Sequence, residues 1–297
     1  MKFGELAKRV LTAAIGVPVL IYAFLYGGYF LLTLVVFVMF VGLWEFFSIM
    51  ELKKYKPVKI AGYVSGLFIV FSFYFFHNPS YYFIVIFCAL LLISFMGLFE
   101  KDNQAAISGM SGTIFAVLYI PGLLSFSLLI RNLGLFLLDR YKNIGGTFLS
   151  SMHISEKTGV YGLFFVVAVV FMNDTGAYFV GKKYGKNRVA PNISPKKSWE
   201  GVIGGIVSSL FTGAVIWYIV PDFLPLKHAL ILSGLLSLAA LIGDLIESKI
   251  KRDAGIKDSG TIFPGHGGVM DRIDALLFGL PVSYVYFMLY YRSLFIR

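Results

Sequence analysis

His228 to Ser248 reads HALILSGLLSLAALIGDLIES, an apolar run that carries two carboxylates, Asp244 and Glu247, close to its end. A helix rises about 1.5 Å per residue, so roughly 20 such residues cross the hydrocarbon layer of a bilayer. The chain then changes character at once: Lys249-Ile250-Lys251-Arg252, next Lys257-Asp258, next His266-Gly267-Gly268-Val269-Met270-Asp271-Arg272-Ile273-Asp274. A membrane span therefore runs directly into a segment that combines carboxylates for a cation, cations for phosphates and glycines for close backbone approach. The span sets the fold class, and the segment after it points to phosphate chemistry at a membrane.

The rest of the chain repeats the first half of that pattern. Hydrophobic residues make up 58% of the 297 and charged residues 14%, against about 25% charged in a soluble globular chain. Mean hydropathy is +0.80. Nine apolar runs are predicted to span: 10–26, 28–50, 58–76, 81–99, 109–130, 159–181, 201–220, 228–248 and 273–291. Backbone polar groups in lipid have to be satisfied within a helix or a closed barrel, and no ten-residue alternation supports a barrel. The expected fold is all-α, a polytopic integral membrane protein of about nine transmembrane helices. Its expected organisation is a five-span scaffold over 1–130, an extracytoplasmic loop over 131–158 and a four-span catalytic region over 159–297.

Orientation follows from Lys and Arg, which favour the cytoplasmic side. With the N-terminus inside, only Arg131, Arg140, Lys142, Lys157, Lys227, Arg292 and Arg297 of the 26 basic residues fall outside. The polar segment 249–274 then faces the cytoplasm. The first span starts on basic residues but is followed by no cleavage site with a soluble domain behind it, so it is expected to be retained. Cys88 is the lone cysteine, which excludes a disulfide framework and a cysteine metal site.

Ionisable residues are scarce in the first five spans, where Glu45, beside Trp44, reads as structural pairing or snorkelling. They gather in the last four. Asn173-Asp174 lies inside an apolar span, where an ionised carboxylate costs at least about 2.5 to 3.5 kcal/mol, so it is expected to face a cavity, a cation or a partner. Gly176 and Gly181 nearby suit close helix packing. Ser194-Pro195-Lys196-Lys197-Ser198-Trp199-Glu200-Gly201 precedes the next span, and a helix start with two lysines suits a phosphate, although positive-inside anchoring explains the lysines equally well. Ser194, Ser198 and Ser248 have no adjacent base, so phosphate binding or helix capping is expected of them rather than nucleophilic attack.

Asp244, Glu247, Ser248, Lys251 and Arg252 recur at three- and four-residue spacing and share one helical face. The loop that follows holds Gly255, Gly260, Gly265, Gly267 and Gly268, which either bring backbone amides to phosphate oxygens or simply make turns. Asp271 and Asp274, at i and i+3 where the last span begins, form a carboxylate pair suited to Mg²⁺, with Asp244 able to join from the preceding span. Arg272 either pairs with a neighbouring acid or reaches a phosphate.

The run from Ser248 to Asp274 resembles the signature of the phosphatidate cytidylyltransferase family, the CDP-diacylglycerol synthases. It holds Ser248, Lys251-Arg252, Lys257-Asp258, Gly260, Phe263-Pro264, His266-Gly267-Gly268 and Asp271-Arg272-x-Asp274 at the family's spacing. Asn173-Asp174-Thr175-Gly176-Ala177-Tyr178 and Ser194 to Gly201 are similar to family segments too, while the first five spans resemble it only in being hydrophobic. The resemblance implies transfer of a cytidylyl group from CTP to phosphatidic acid, giving CDP-diacylglycerol and pyrophosphate, with Mg²⁺ and room for a second cation. It implies a multi-pass protein of the cell inner membrane, surrounded by membrane lipids, with a homodimer as its assembly and nucleic acid not among its partners.

On this basis Asp244, Asp271 and Asp274 are expected to hold the cation, with Lys197, Lys251 and Arg252 completing the catalytic set. Asn173, Asp174, Ser194, Lys196, Ser198, Ser248, Lys249, Lys257, His266, Gly267, Gly268 and Arg272 are expected to bind substrate. His266 is expected to position rather than deprotonate, because a phosphate nucleophile is already ionised. A different lipid phosphate as acceptor fits the same segment. An ion transporter fits poorly, because the acids gather at one cytoplasmic edge instead of along a path.

Overall fold

The computed structural model describes residues 3–76, 79–141, 154–260 and 267–295. Its helices are α1 (Phe3–Tyr26), α2 (Gly28–Leu52), α3 (Lys59–Phe75), α4 (Pro79–Gly97), α5 (Asn103–Val117), α6 (Phe126–Arg131), α7 (Leu133–Arg140), α8 (Thr158–Tyr184), α9 (Trp199–Ile219), α10 (Leu226–Asp253) and α11 (Met270–Phe295). A π-helical turn, Leu118–Gly122, joins α5 towards α6, and one hairpin, β1 (Arg188–Ala190) with β2 (Ser194–Ser198), joins α8 to α9. The protein is an all-α polytopic membrane protein.

Each expected span coincides with a helix. Among the described residues, six are long and apolar enough to cross a membrane: Gly28–Leu52, Ala105–Arg131, Thr158–Tyr184, Trp199–Ile219, Leu226–Asp253 and Met270–Leu294. Ala14–Tyr26, Lys59–Phe75 and Tyr81–Gly97 are apolar but shorter. The fifth span is not a uniform helix: Pro121 lacks an N–H, the ladder widens to a π turn there, and the Ser125 hydroxyl donates to the Pro121 carbonyl at 2.6 Å. The break between α1 and α2 falls at Gly27 and Gly28, which both take positive φ, 62° and 52°. Within the stretch expected to be a loop, α7 buries Leu133 and Leu137, and residues 142–153 lie outside the described residues.

The chain divides into two compact units. The first comprises 1–128 and 250–273. In it α2 and α3 approach closely because Gly62 and Gly66 have no side chain: a Cβ at Gly62 would lie 2.6 Å from the Phe47 ring, and one at Gly66 3.0 Å from the Met39 sulfur. The start of α3 is satisfied by Thr113, whose hydroxyl accepts from the Val58 N–H at 2.9 Å. Lys53 reaches the Asp253 carboxylate at 3.4 Å.

The second unit comprises 129–249 and 274–297. Its backbone is the antiparallel pair α8 and α9, which cross on small residues. A Cβ at Gly176 would lie 2.5 Å from the Ser208 Cβ, one at Gly204 2.5 Å from Val180 and one at Gly201 3.0 Å from the Ala177 carbonyl. Without a hydrophobic drive between helices in lipid, such backbone proximity supplies the dispersion that joins them. On the opposite face α9 exposes Ile203, Val207 and Phe211 at four-residue spacing, a stripe suited to lipid.

The hairpin was not legible as such, since its second strand contains Ser194 to Ser198, read above as a helix start. A turn over Ala190-Pro191-Asn192-Ile193 reverses the chain, with the Ile193 N–H donating to the Ala190 carbonyl at 3.1 Å and Pro191 in the favoured second position. The Glu200 carboxylate accepts from the backbone N–H of Lys186 and of Asn187 and from the Asn187 side chain at 2.8 Å. That contact fixes the corner between α8 and α9.

Gly204→Leu is expected to push Val180 off α9 and to lower the thermal midpoint of the detergent-solubilised protein, by overpacking worth about 1 to 3 kcal/mol. The same change at Gly234, where a Cβ meets nothing within 4 Å, should leave the midpoint in place.

Candidate functional site

Three helices of the second unit meet on Asn173. It is buried in α8, its carbonyl oxygen accepts from the Ser209 hydroxyl of α9 at 3.3 Å and from the Ser237 hydroxyl of α10 at 2.5 Å, and its amide donates to Asp174 at 3.3 Å. A Cβ at Gly205 would come within 2.7 Å of that carbonyl oxygen, so glycine is what admits the contact. Asn173 thus acts as a polar clamp, and Asp174 is held beside it.

The same unit gathers Asp244 and Glu247 of α10 with Asp274 of α11, each offering a carboxylate oxygen within 4.8 Å of the others. Close approach of α10 and α11 makes this possible, since a Cβ at Gly243 would strike the Asp274 carbonyl. Glu247 is buried and the other two are half-buried. Lys197, two residues before the start of α9, pairs with Asp244 at 2.5 Å, and the Ser248 hydroxyl donates to Asp244 at 3.2 Å. Ser198 is buried and caps α9, accepting from the Gly201 N–H at 3.2 Å. Three hard carboxylate oxygens beside an ammonium can bind a divalent cation and a phosphate.

In the first unit Asp271 is the centre. One carboxylate oxygen pairs with Lys251 at 2.6 Å; the other accepts from the Ser259 N–H at 3.0 Å, the Ser259 hydroxyl at 3.1 Å and the Gly268 N–H at 2.8 Å. Gly267 sits at φ 83°, a conformation that side-chain-bearing residues rarely adopt, and a Cβ there would also approach Asp271. The Ser259 hydroxyl reaches a second carboxylate, Glu45 of α2, at 2.9 Å.

The remaining expected residues are placed as follows. Lys196, Lys249, Arg252, Lys257 and Arg272 are exposed, Ser194 lies on β2, and His266 lies outside the described residues. Arg252 donates to the Ile256 carbonyl at 3.2 Å. Glu247 was read only as a member of a polar stripe, yet it stands one turn after Asp244, and that spacing already placed it on the same face. Glu45 had its depth in an apolar span as the one available signal.

Residues 7–290 match the sequence profile of the Cytidylyltransferase family. The chain belongs to that family. It is 31% identical over 297 residues to the phosphatidate cytidylyltransferase of Bacillus subtilis, covering 96% of this chain and 98% of that one. The enzyme of the same name from Synechocystis is 31% identical over 95% of this chain and 96% of its own. That of Haemophilus influenzae is 42% identical over a shorter stretch, 43% of this chain and 46% of the other. For a cytidylyltransferase the chemistry is nucleotidyl transfer, and the acidic cluster with its adjacent lysine is the feature of the second unit suited to a nucleotide's phosphates.

Asn173→Ala removes the acceptor that two buried hydroxyls share, and a loss of roughly 1 to 3 kcal/mol is expected. Thermal unfolding in detergent should show a lowered midpoint for this variant and an unchanged one for Lys196→Ala on the exposed strand.

Proposed function

We propose that this cytidylyltransferase moves the cytidylyl group of CTP onto phosphatidic acid, giving CDP-diacylglycerol and pyrophosphate. The observation that carries this reading is the family match along nearly the whole chain, together with a carboxylate cluster flanked by a lysine in a protein built to sit in lipid. The acceptor is then a membrane component, and the reaction takes place at the cytoplasmic face, where basic residues concentrate. Assembly as a homodimer is proposed with it.

In the reaction an oxygen of the lipid phosphate attacks the α-phosphorus of CTP; a new P–O bond forms, the bond to the β-phosphate oxygen breaks, and pyrophosphate leaves with that electron pair. The nucleophile is already ionised near neutral pH, so no general base is required. What the site has to supply is charge neutralisation and alignment. Asp244, Glu247 and Asp274 fit a divalent cation such as Mg²⁺ by their hard oxygen donors and their spacing, and with Asp271 they are the proposed acidic set. When bound, such an ion neutralises phosphate oxygens and stabilises the charge on the departing pyrophosphate.

Lys197 stands beside Asp244 and serves a phosphate from there. Asp271 orients Lys251 through their ion pair, and Lys251, Arg252, Lys249, Lys257 and Arg272 are the proposed further phosphate ligands. Ser194, Lys196, Ser198, Ser248, Gly267 and Gly268 line the segments that bind substrate, and His266 positions it by hydrogen bonding. Asn173 joins three helices and holds Asp174 beside it, and both are proposed to meet the substrate.

The test is pyrophosphate release by the detergent-purified protein. Release is expected with CTP, phosphatidic acid and Mg²⁺ together, and not with ATP, GTP or UTP, without lipid, or after chelation. Asp271→Asn should lower it by roughly 100-fold or more. Release that is indifferent to the nucleotide or to the lipid would contradict the proposal, and lipid-dependent release confined to another lipid phosphate would reassign the acceptor.

A further inference from the structure

Glu45 lies in α2, in the half of the chain that carries no motif, and its side chain is fully buried. One carboxylate oxygen accepts from the Val269 N–H at 2.8 Å; the other accepts from the Met270 N–H at 2.9 Å and from the Ser259 hydroxyl at 2.9 Å. Met270 is the first residue of α11 and Val269 the one before it. The first N–H groups of a helix have no partner inside it and carry the positive end of its dipole. Usually a Ser, Thr, Asp or Asn at the cap position meets them. Here that position is Val269, and a carboxylate more than 200 residues away in the chain does the work.

The surroundings are shaped to this carboxylate. A Cβ at Gly268 would lie 2.5 Å from both oxygens of Glu45, and one at Gly260 would lie 2.6 Å from the nearer of them. Whatever part they take in phosphate binding, those two glycines leave the space that Glu45 occupies. Ser259 ties Glu45 to Asp271: its single hydroxyl proton serves both carboxylates while its N–H donates to Asp271. Asp271 in turn holds Lys251.

We infer that Glu45 is a positioning residue for cytidylyl transfer: it fixes the start of α11 at Val269 and Met270, and through Ser259 it sets the carboxylate of Asp271. Glu45 touches no substrate in this assignment; it acts on the first turn of α11, which carries Asp271 and, one turn later, Asp274. The inference rests on the function proposed above and deepens it.

Glu45→Gln is the deciding variant, since it keeps shape but turns one accepting oxygen into a donor that faces N–H groups. Gly268→Ala is its complement, leaving Glu45 in place and crowding both its oxygens together with the Ser259 hydroxyl that links it to Asp271. Two readouts are taken on the full-length protein in detergent. The first is hydrogen exchange of the Val269 and Met270 amides against the middle of α11. The second is the split between kcat and KM in CTP- and phosphatidate-dependent pyrophosphate release. The expected result in both variants is faster exchange at those two amides with the middle of α11 still protected, and kcat lower by roughly 10- to 100-fold, the usual cost of an outer-shell partner, with KM for CTP within about twofold of wild type. Unchanged exchange overturns the inference, as does faster exchange with an unaltered kcat. Exchange that rises throughout α11 makes Glu45 a general stability residue and overturns it too. If the wild-type protein itself releases no pyrophosphate, the transferase reading fails, whereas the exchange result still decides whether Glu45 holds the start of α11.

Discussion

A carboxylate taken out of water has to be met by donors or cations, and in a chain with so few charges each such meeting organises its surroundings. Glu45 shows the constraint most plainly. Its three hydrogen bonds draw the start of α11 and Ser259 onto α2, so that a segment late in the chain folds with the first five helices rather than with its sequence neighbours. Ser259 and Gly268 then secure Asp271, and Asp271 secures Lys251. The glycine-rich loop owes its composition partly to this arrangement, because side chains at 260 and 268 would occupy the space of the carboxylate.

Within the second unit the same constraint is met differently. Asp244 takes an ammonium from Lys197 and a hydroxyl from Ser248, while Glu247 and Asp274 approach it closely enough to share a cation. Asn173 carries no charge and serves as the junction of three helices, with serines supplying the donors. Small residues make both arrangements possible: Gly205 admits Asn173, and Gly243 admits the backbone of Asp274. In a membrane protein, polar contacts of this kind and the close packing of glycines do much of what a hydrophobic core does in water.

The helices were legible because apolar length alone specifies them in lipid, and every expected span coincides with one. Among the described residues six helices meet the length and apolarity of a full crossing, and α3 runs from Lys59 to Phe75, slightly inside the apolar stretch 58–76. Asp244 stood out in the sequence as an acid late in an apolar span, and it lies close to Glu247 and Asp274. Other features were not legible, for physical reasons. The partner of Glu45 lies 214 to 225 residues away, a separation that no local pattern encodes. Ser194 to Ser198 has the composition of a helix start, yet Pro191 and Asn192 turn the chain into a hairpin before the helix begins at Trp199. Glycine in the 255–268 loop is equally suited to a phosphate, a turn or a buried side chain, and only packing separates these.

In the proposed reaction the reacting atom is the α-phosphorus of CTP, with a lipid phosphate as its attacker. The most direct measurement follows the label from CTP carrying ³²P at either the α or the γ position, using the purified protein, phosphatidic acid and Mg²⁺, with extraction of the lipid phase. Label from the α position is predicted to enter the lipid while γ label stays in the aqueous phase as pyrophosphate. Entry of γ label into the lipid, or retention of α label in water during turnover, would contradict cytidylyl transfer.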